Sequence, residues 1–298
     1  MEQAPPPPEP LVLAPGADAV PQPNWRPWFA FAGFAGSLIC TLIAVGIILA
    51  IAGVGEDDDS PTVTVVATLI QGVFFIGAAL VLARSVAPPR PWHFGLRRAP
   101  LWRTVGWAAL GMLSFYILTA TYAAIVDPQA EQDVTDSLGA GDGTLGLIAA
   151  GTMVIVIAPF VEEFFFRGFF YRSLRTRYPV VVAASIDGLI FGLIHFGFDG
   201  ADGLLILPPL IFLGVIFCLV YEKTKSLWAV IGMHAFNNTI AFSARPDDFE
   251  GWKVAVVAGP LMLVACALLP RLLPDGPAPL PPAPPRVGPE AQLSLPLQ

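Results

Sequence analysis

Charge is scarce in this chain. Only 13% of its 298 residues are Asp, Glu, Lys or Arg, against 55% hydrophobic, where a soluble domain carries about 25% charged residues. That excludes a single soluble globule. What charge there is leans acidic, with a net charge of −7 and a pI near 4.9, so the basic surface of a nucleic-acid binder is missing. Cysteine occurs three times, at Cys40, Cys218 and Cys266, always inside apolar runs and without pairing or metal-ligand spacing. This excludes a disulfide framework and a zinc knuckle and predicts buried thiols. A nucleotide-binding loop, a serine nucleophile elbow and a His-Glu-x-x-His zinc helix are all absent, and no cysteine is placed as a nucleophile. No strongly basic segment precedes the first apolar run, which is too long for a signal-peptide core and is expected to remain as an anchor.

Proline is abundant but confined. Of 31 prolines, nine fall in residues 1–28 and ten in 270–298, so the tails 1–27 and 271–298 read as disordered and proline-rich. Between them lie eight apolar stretches, 28–54, 62–84, 104–126, 144–171, 180–198, 204–221, 227–242 and 252–270. Most approach the ~20 residues of a spanning helix, while 180–198 and 227–242 are short. The expected fold is therefore all-α, a polytopic membrane bundle over 28–270 with about eight transmembrane helices. Placing the N-terminus and alternate connections on the cytoplasmic side puts every Lys and Arg there except Arg245 and Lys253, and leaves Glu56 to Asp59, Asp127 to Asp142, Asp199 and Asp202 on the other. By the positive-inside rule both termini are then cytoplasmic, and the expected location is a bacterial plasma membrane. Trp25, Trp28, Trp92, Trp102, Trp228 and Trp252 lie near proposed span ends and read as interfacial anchors.

Ionisable groups inside such runs are expensive and mark function or a partner. The fourth stretch carries Glu162, Glu163 and Arg167, the fifth Asp187 and His195, and the seventh His234, Asn237 and Asn238. Residues four apart share a helix face, so Glu163 can pair with Arg167 while Glu162, turned by about 100°, addresses a cavity. His234 and Asn238 share a face likewise. With the fourth helix ending at Tyr178-Pro179, Glu162 and His195 face each other across a hairpin. At ~1.5 Å per residue, Glu162 lies ~15 Å below Arg172 and His234 ~14 Å below Lys225. Three helices thus deliver polar groups to one level.

These motifs, Glu162-Glu163-x-x-x-Arg167, Phe191-x-x-x-His195 and His234-x-x-x-Asn238, resemble those of the CAAX protease and bacteriocin-processing (CPBP) family. Its members are intramembrane proteases that include the Ras-converting CAAX endopeptidases. The resemblance covers about 144–242 and implies an intramembrane endopeptidase acting on a membrane-associated peptide or protein at the lipid bilayer, with no nucleotide or nucleic-acid partner.

Peptide hydrolysis needs an activated water, a stabilised oxyanion and a protonated leaving amine. In one version Glu162 and His195 deprotonate water while His234 and Asn238 stabilise the oxyanion. In the other, Glu162, His195 and His234 ligate Zn²⁺ and leave a position open for water. Both stay open, with the metal-free version favoured. Glu163 and Arg167 are counted among the catalytic residues, with a purely structural ion pair as the alternative; Phe191 packs, Asp187 reads as a bonded structural carboxylate, and Asn237 is expected to pack elsewhere. Gly and aromatic residues at 164–170 are expected to serve helix packing and lipid contact. The competing functions are a catalytically silent scaffold or bacteriocin-immunity protein and a small-molecule transporter using the buried charges as a relay.

Overall fold

The computed structural model describes residues 24–53, 60–127, 134–196, 202–244 and 250–273. The expected tails fall outside these ranges except for 24–27 and 271–273. Among the described residues all regular structure is helical. Eight helices occupy the eight apolar stretches: α1 Trp28–Ala52, α2 Pro61–Arg84, α3 Leu101–Val126, α4 Gly143–Arg175, α5 Val180–Leu193, α6 Leu207–Thr224, α7 Leu227–Ser243 and α8 Gly251–Leu268. Six of them, α1, α2, α3, α4, α6 and α8, are long and apolar enough to cross a membrane. The chain is an integral membrane protein. The other two, of 14 and 17 residues, are the stretches already short in the sequence. Most of α7 is buried by its neighbours, so its length is set by packing within the bundle rather than by the bilayer.

Helix α4 is one 33-residue helix whose register slips twice. Met153–Ile157 and Phe166–Tyr171 are π-helical and bracket the α-helical stretch Ala158–Phe165. The first slip has a local cause. Pro159 has no N–H to give to the carbonyls four and five residues before it, so the ladder widens there. The glutamates sit between the two slips.

One end of the bundle gathers the basic residues. Arg103 donates to the Lys223 carbonyl, Arg98 to the carbonyls of Pro270 and Arg271, and Arg172 to the Tyr221 hydroxyl at 2.9 Å. Glu222 accepts from Tyr171, Arg175 and Lys225 within 2.8–3.0 Å. The turn at Gly95 passes so close to Tyr221 that a Cβ would lie 2.5 Å from its hydroxyl, and its φ of +82° also calls for glycine. His93 lies here as well, in the 84–100 connection, and burial with Arg172 and Arg90 nearby holds its pKa below the usual value.

Beneath this end lies an aromatic block. Phe164, Phe165, Phe166, Phe169 and Phe170 of α4 are all buried, with ring centroids of Phe75 and Phe165 4.4 Å apart and of Phe94 and Phe164 4.7 Å apart. The expectation of lipid contact for this run is corrected: the neighbouring helices cover it. Trp25 and Trp228 are likewise core residues, not interfacial anchors. Trp25 packs on Phe94 and Phe169, whereas Trp28, Trp102 and Trp252 are exposed. Of the cysteines, Cys218 is buried, Cys266 partly buried and Cys40 exposed on a helix flank, which corrects the expectation for Cys40.

Candidate active site

The catalytic candidates are gathered by four helices, α4, α5, α6 and α7. Glu163 and Arg167, one turn apart on α4, form the expected ion pair at 2.8 Å with both side chains fully buried. The same carboxylate oxygen, Oε1, accepts from His234 Nδ1 of α7 at 2.9 Å. Arg167 also donates through Nη2 to the Gly214 carbonyl of α6 at 3.0 Å and stands 3.4 Å from Asp187 Oδ1 of α5. The Cys218 thiol donates to that Asp187 oxygen. The guanidinium lies 4.4 Å from the Phe191 ring centroid and 5.1 Å from that of Phe217, a cation–π arrangement. Asp187 is therefore a bonded carboxylate, and Arg167 is the centre on which four helices converge.

This convergence depends on a close seam between α5 and α6. A Cβ on Gly188 would lie 2.8 Å from the Val215 nitrogen and 2.9 Å from the Ile211 carbonyl, and one on Gly214 would lie 2.7 Å from Gly188 Cα. Such proximity brings the Gly214 carbonyl within reach of Arg167. Sequence reasoning passed over the signal, a Gly188-x-x-x-Gly192 pair of the small-residue type that lets membrane helices approach.

Glu162, turned away from this cluster, points toward the two imidazoles. Its Oε2 lies 3.7 Å from His195 Nε2 and 4.0 Å from His234 Nε2 and makes no hydrogen bond among the described residues. His195 sits just past the end of α5 with Nδ1 2.7 Å from the Phe191 carbonyl. With that nitrogen protonated to meet the carbonyl, Nε2 turns its lone pair toward Glu162. Both separations from Glu162 Oε2 are too wide for a direct hydrogen bond and leave room for a water bridging the carboxylate and an imidazole.

A cavity of about 320 Å³ contains these groups, and Thr64 and Thr68 of α2, Leu210 and Leu213 of α6, and Asn237 and Asn238 of α7 help to line it. Asn237 thus faces the same cavity as Asn238, against expectation. Its side chain meets the Tyr116 hydroxyl and the Asn238 amide oxygen at 3.4 Å each, and a 100° offset is small enough for two short amides to share one concavity. Asn238 Nδ2 donates to the Val154 carbonyl at 2.8 Å, one of the acceptors that Pro159 leaves without a helical donor. Thr64 and Thr68 were not anticipated, since isolated threonines in an apolar run give no signal.

Among the described residues no group of three or more His, Cys, Asp or Glu side chains is arranged to hold a metal ion. Zinc–ligand bonds of about 2.0–2.1 Å set tetrahedral donors about 3.3 Å apart, and both distances from Glu162 exceed this. As they stand, Glu162, His195 and His234 do not fit zinc, so no step is derived through it.

Residues 144–240 match the family model of Rce1-like type II CAAX prenyl endopeptidases. Over this segment the chain is similar to the CPBP/CAAX protease family. The matched segment runs from the start of α4 into α7 and includes every catalytic candidate above. At the level of the family this implies a protease embedded in a membrane. Searches of curated proteins and of solved structures return no match.

Proposed function

We propose that the protein is an intramembrane endopeptidase that uses Glu162 and His195 to activate water. The observation that carries the reading is the convergence of Glu162 Oε2 and two imidazole nitrogens, at 3.7 and 4.0 Å, on one cavity within a membrane bundle. A water held there loses a proton to Glu162 as its oxygen attacks the scissile carbonyl carbon. The proton then passes to the leaving amine as the C–N bond breaks.

His234 and Asn238 stabilise the oxyanion. His234 is held by Glu163 through Nδ1, so a proton on its Nε2 is presented to the cavity as an N–H donor. Asn238 gives one N–H to Val154 and retains a second on the same nitrogen. Glu163 and Arg167 position His234 and touch no reacting atom. The substrate is a membrane-associated peptide or protein.

The test is purified wild type and Glu162→Gln in proteoliposomes, assayed against membrane-peptide substrates with bound metal measured in the same samples. Loss of cleavage with an unchanged melting temperature supports the assignment, and equal cleavage by both removes it. Stoichiometric zinc lost on Glu162→Gln would replace this mechanism with the zinc version.

A further inference from the structure

The proposed reaction leaves two polar side chains at the cavity without a task, Asn237 of α7 and, behind it, Tyr116 of α3. With Asn238 they form a chain of hydrogen bonds that crosses from α3 through α7 to α4. The Tyr116 hydroxyl lies 3.4 Å from Asn237 Oδ1, Asn237 Nδ2 lies 3.4 Å from Asn238 Oδ1, and Asn238 Nδ2 lies 2.8 Å from the Val154 carbonyl.

The α4 end fixes the direction of the whole chain. A backbone carbonyl only accepts, so Asn238 turns its nitrogen to Val154 and its oxygen to Asn237. Asn237 answers that oxygen with its own nitrogen, which leaves its oxygen facing α3. Tyr116 meets it there with a hydroxyl, a group able to donate. Neither amide is then free to flip. Each Nδ2 carries two N–H groups, and the chain uses one of each. The second N–H of Asn237 makes no bond among the described residues, and Asn237 lines the same cavity as Glu162, His195 and His234.

A substrate accounts for that spare donor. A peptide bond inside a membrane helix can be attacked only after the helix opens locally, and opening frees backbone carbonyls on both sides of the bond. Unpaired carbonyls are costly in apolar surroundings, so the site needs donors beyond the oxyanion pair. Thr68, which also lines the cavity, already gives its hydroxyl proton to the Thr64 carbonyl. Asn237 stands about 100° round α7 from Asn238, on the side that meets Tyr116. A donor there lies beside the reacting bond and not on it.

We propose that Asn237 is a substrate-binding residue whose spare N–H donates to a backbone carbonyl flanking the scissile bond, and that Tyr116 is a positioning residue that holds the amide in the orientation presenting it. The inference rests on the endopeptidase reading and extends it to the form of the substrate, a membrane-embedded segment bound unwound with a carbonyl paired by a side-chain amide. That contact is present in the bound substrate and in the transition state alike, so it acts on binding and not on the chemical step.

The test is steady-state cleavage, by the purified full chain in proteoliposomes, of a synthetic transmembrane peptide that wild type cuts. Wild type, Asn237→Ala, Tyr116→Phe and their double variant are compared, with Glu162→Gln alongside. The peptide is used unmodified and with either peptide bond next to the cleaved one replaced by a trans-alkene, which removes a carbonyl and keeps the shape. Loss of one neutral hydrogen bond corresponds to about a 2- to 12-fold rise in KM for Asn237→Ala, at nearly constant kcat. Tyr116→Phe should raise KM by less, and the double variant should be no worse than Asn237→Ala. One of the alkene peptides should lose a similar factor with wild type and almost none with Asn237→Ala, a coupling that a packing role of Asn237 would not produce. An unchanged KM in Asn237→Ala, a loss confined to kcat, or an alkene penalty undiminished in that variant would overturn the proposal. Should Asn237→Ala not fold, Tyr116→Phe decides it by the same two readouts, a raised KM and a reduced alkene penalty. If Glu162→Gln cleaves as wild type does, the endopeptidase reading itself falls; if it is inert while Asn237→Ala matches wild type, only the role of Asn237 falls.

Discussion

Replacing Arg167 with methionine tests the account of the buried cluster most directly. The substitution keeps an unbranched side chain of similar length and removes the guanidinium between Glu163 and Asp187, both fully buried. Two charge-assisted hydrogen bonds disappear, to Glu163 Oε1 at 2.8 Å and to the Gly214 carbonyl at 3.0 Å, each worth about 1.5–3 kcal/mol. Their sum, about 3–6 kcal/mol, overlaps the 3–5 kcal/mol typical of removing one partner from a buried ion pair. At about 2–4 °C per kcal/mol for a chain of this size, the melting temperature should fall by roughly 6–20 °C. Intrinsic tryptophan fluorescence in detergent is a suitable readout, because Trp25 and Trp228 are buried. Arg167→Lys keeps the charge but not the planar fork, and should lose less. The double variant Glu163→Gln/Arg167→Met should be more stable than Arg167→Met alone, since one uncompensated carboxylate is gone. A loss below about 1 kcal/mol in Arg167→Met, or a double variant less stable than the single, would refute the reasoning.

Gly188→Ala places a carbon within 2.6–2.9 Å of Val215 and Ile211 and should destabilise by about 1–3 kcal/mol. Gly77→Ala, with nothing within 4 Å, should be neutral or stabilising by up to about 1 kcal/mol; thermal unfolding of the pair separates seam geometry from helix propensity. Asn238→Ala strands the Val154 carbonyl and should cost about 1–3 kcal/mol as well as activity, read by melting temperature and cleavage together. The folded-state pKa of His93 is depressed, first by burial and then by Arg172 and Arg90. The unfolded chain therefore binds the extra proton first, and stability should be complete above about pH 6.5 and fall as pH drops through the folded value. Unfolding midpoints measured from pH 7.5 to 5 should show this slope in wild type and a shallower one in His93→Gln.

The eight helices were legible because apolar run length is a strong signal and their polar interruptions are few. So was the pairing of Glu163 with Arg167, which needs only a four-residue spacing. The Glu162–His195–His234 convergence followed from helix depth counted from the basic ends. What remained hidden depends on neighbours. A proline two residues into the Ala158–Phe165 segment does not announce which side chain will answer the carbonyl it abandons, and Asn238 does so from another helix. Trp25 and Trp228 sit where interfacial residues sit in sequence, and only the packing of Phe94, Phe160 and Phe169 against them makes them core. The role of Asp187 depends on Arg167 reaching across from α4, which in turn depends on the glycines that draw α5 and α6 together.

That glycine contact is a weld. Parting Gly188 from Gly214 would separate two backbones instead of rotating a side chain, and would pull the Gly214 carbonyl from Arg167. Elsewhere the cavity is bordered by side chains, Thr64 and Thr68 of α2 among them, which can rotate without parting two helices.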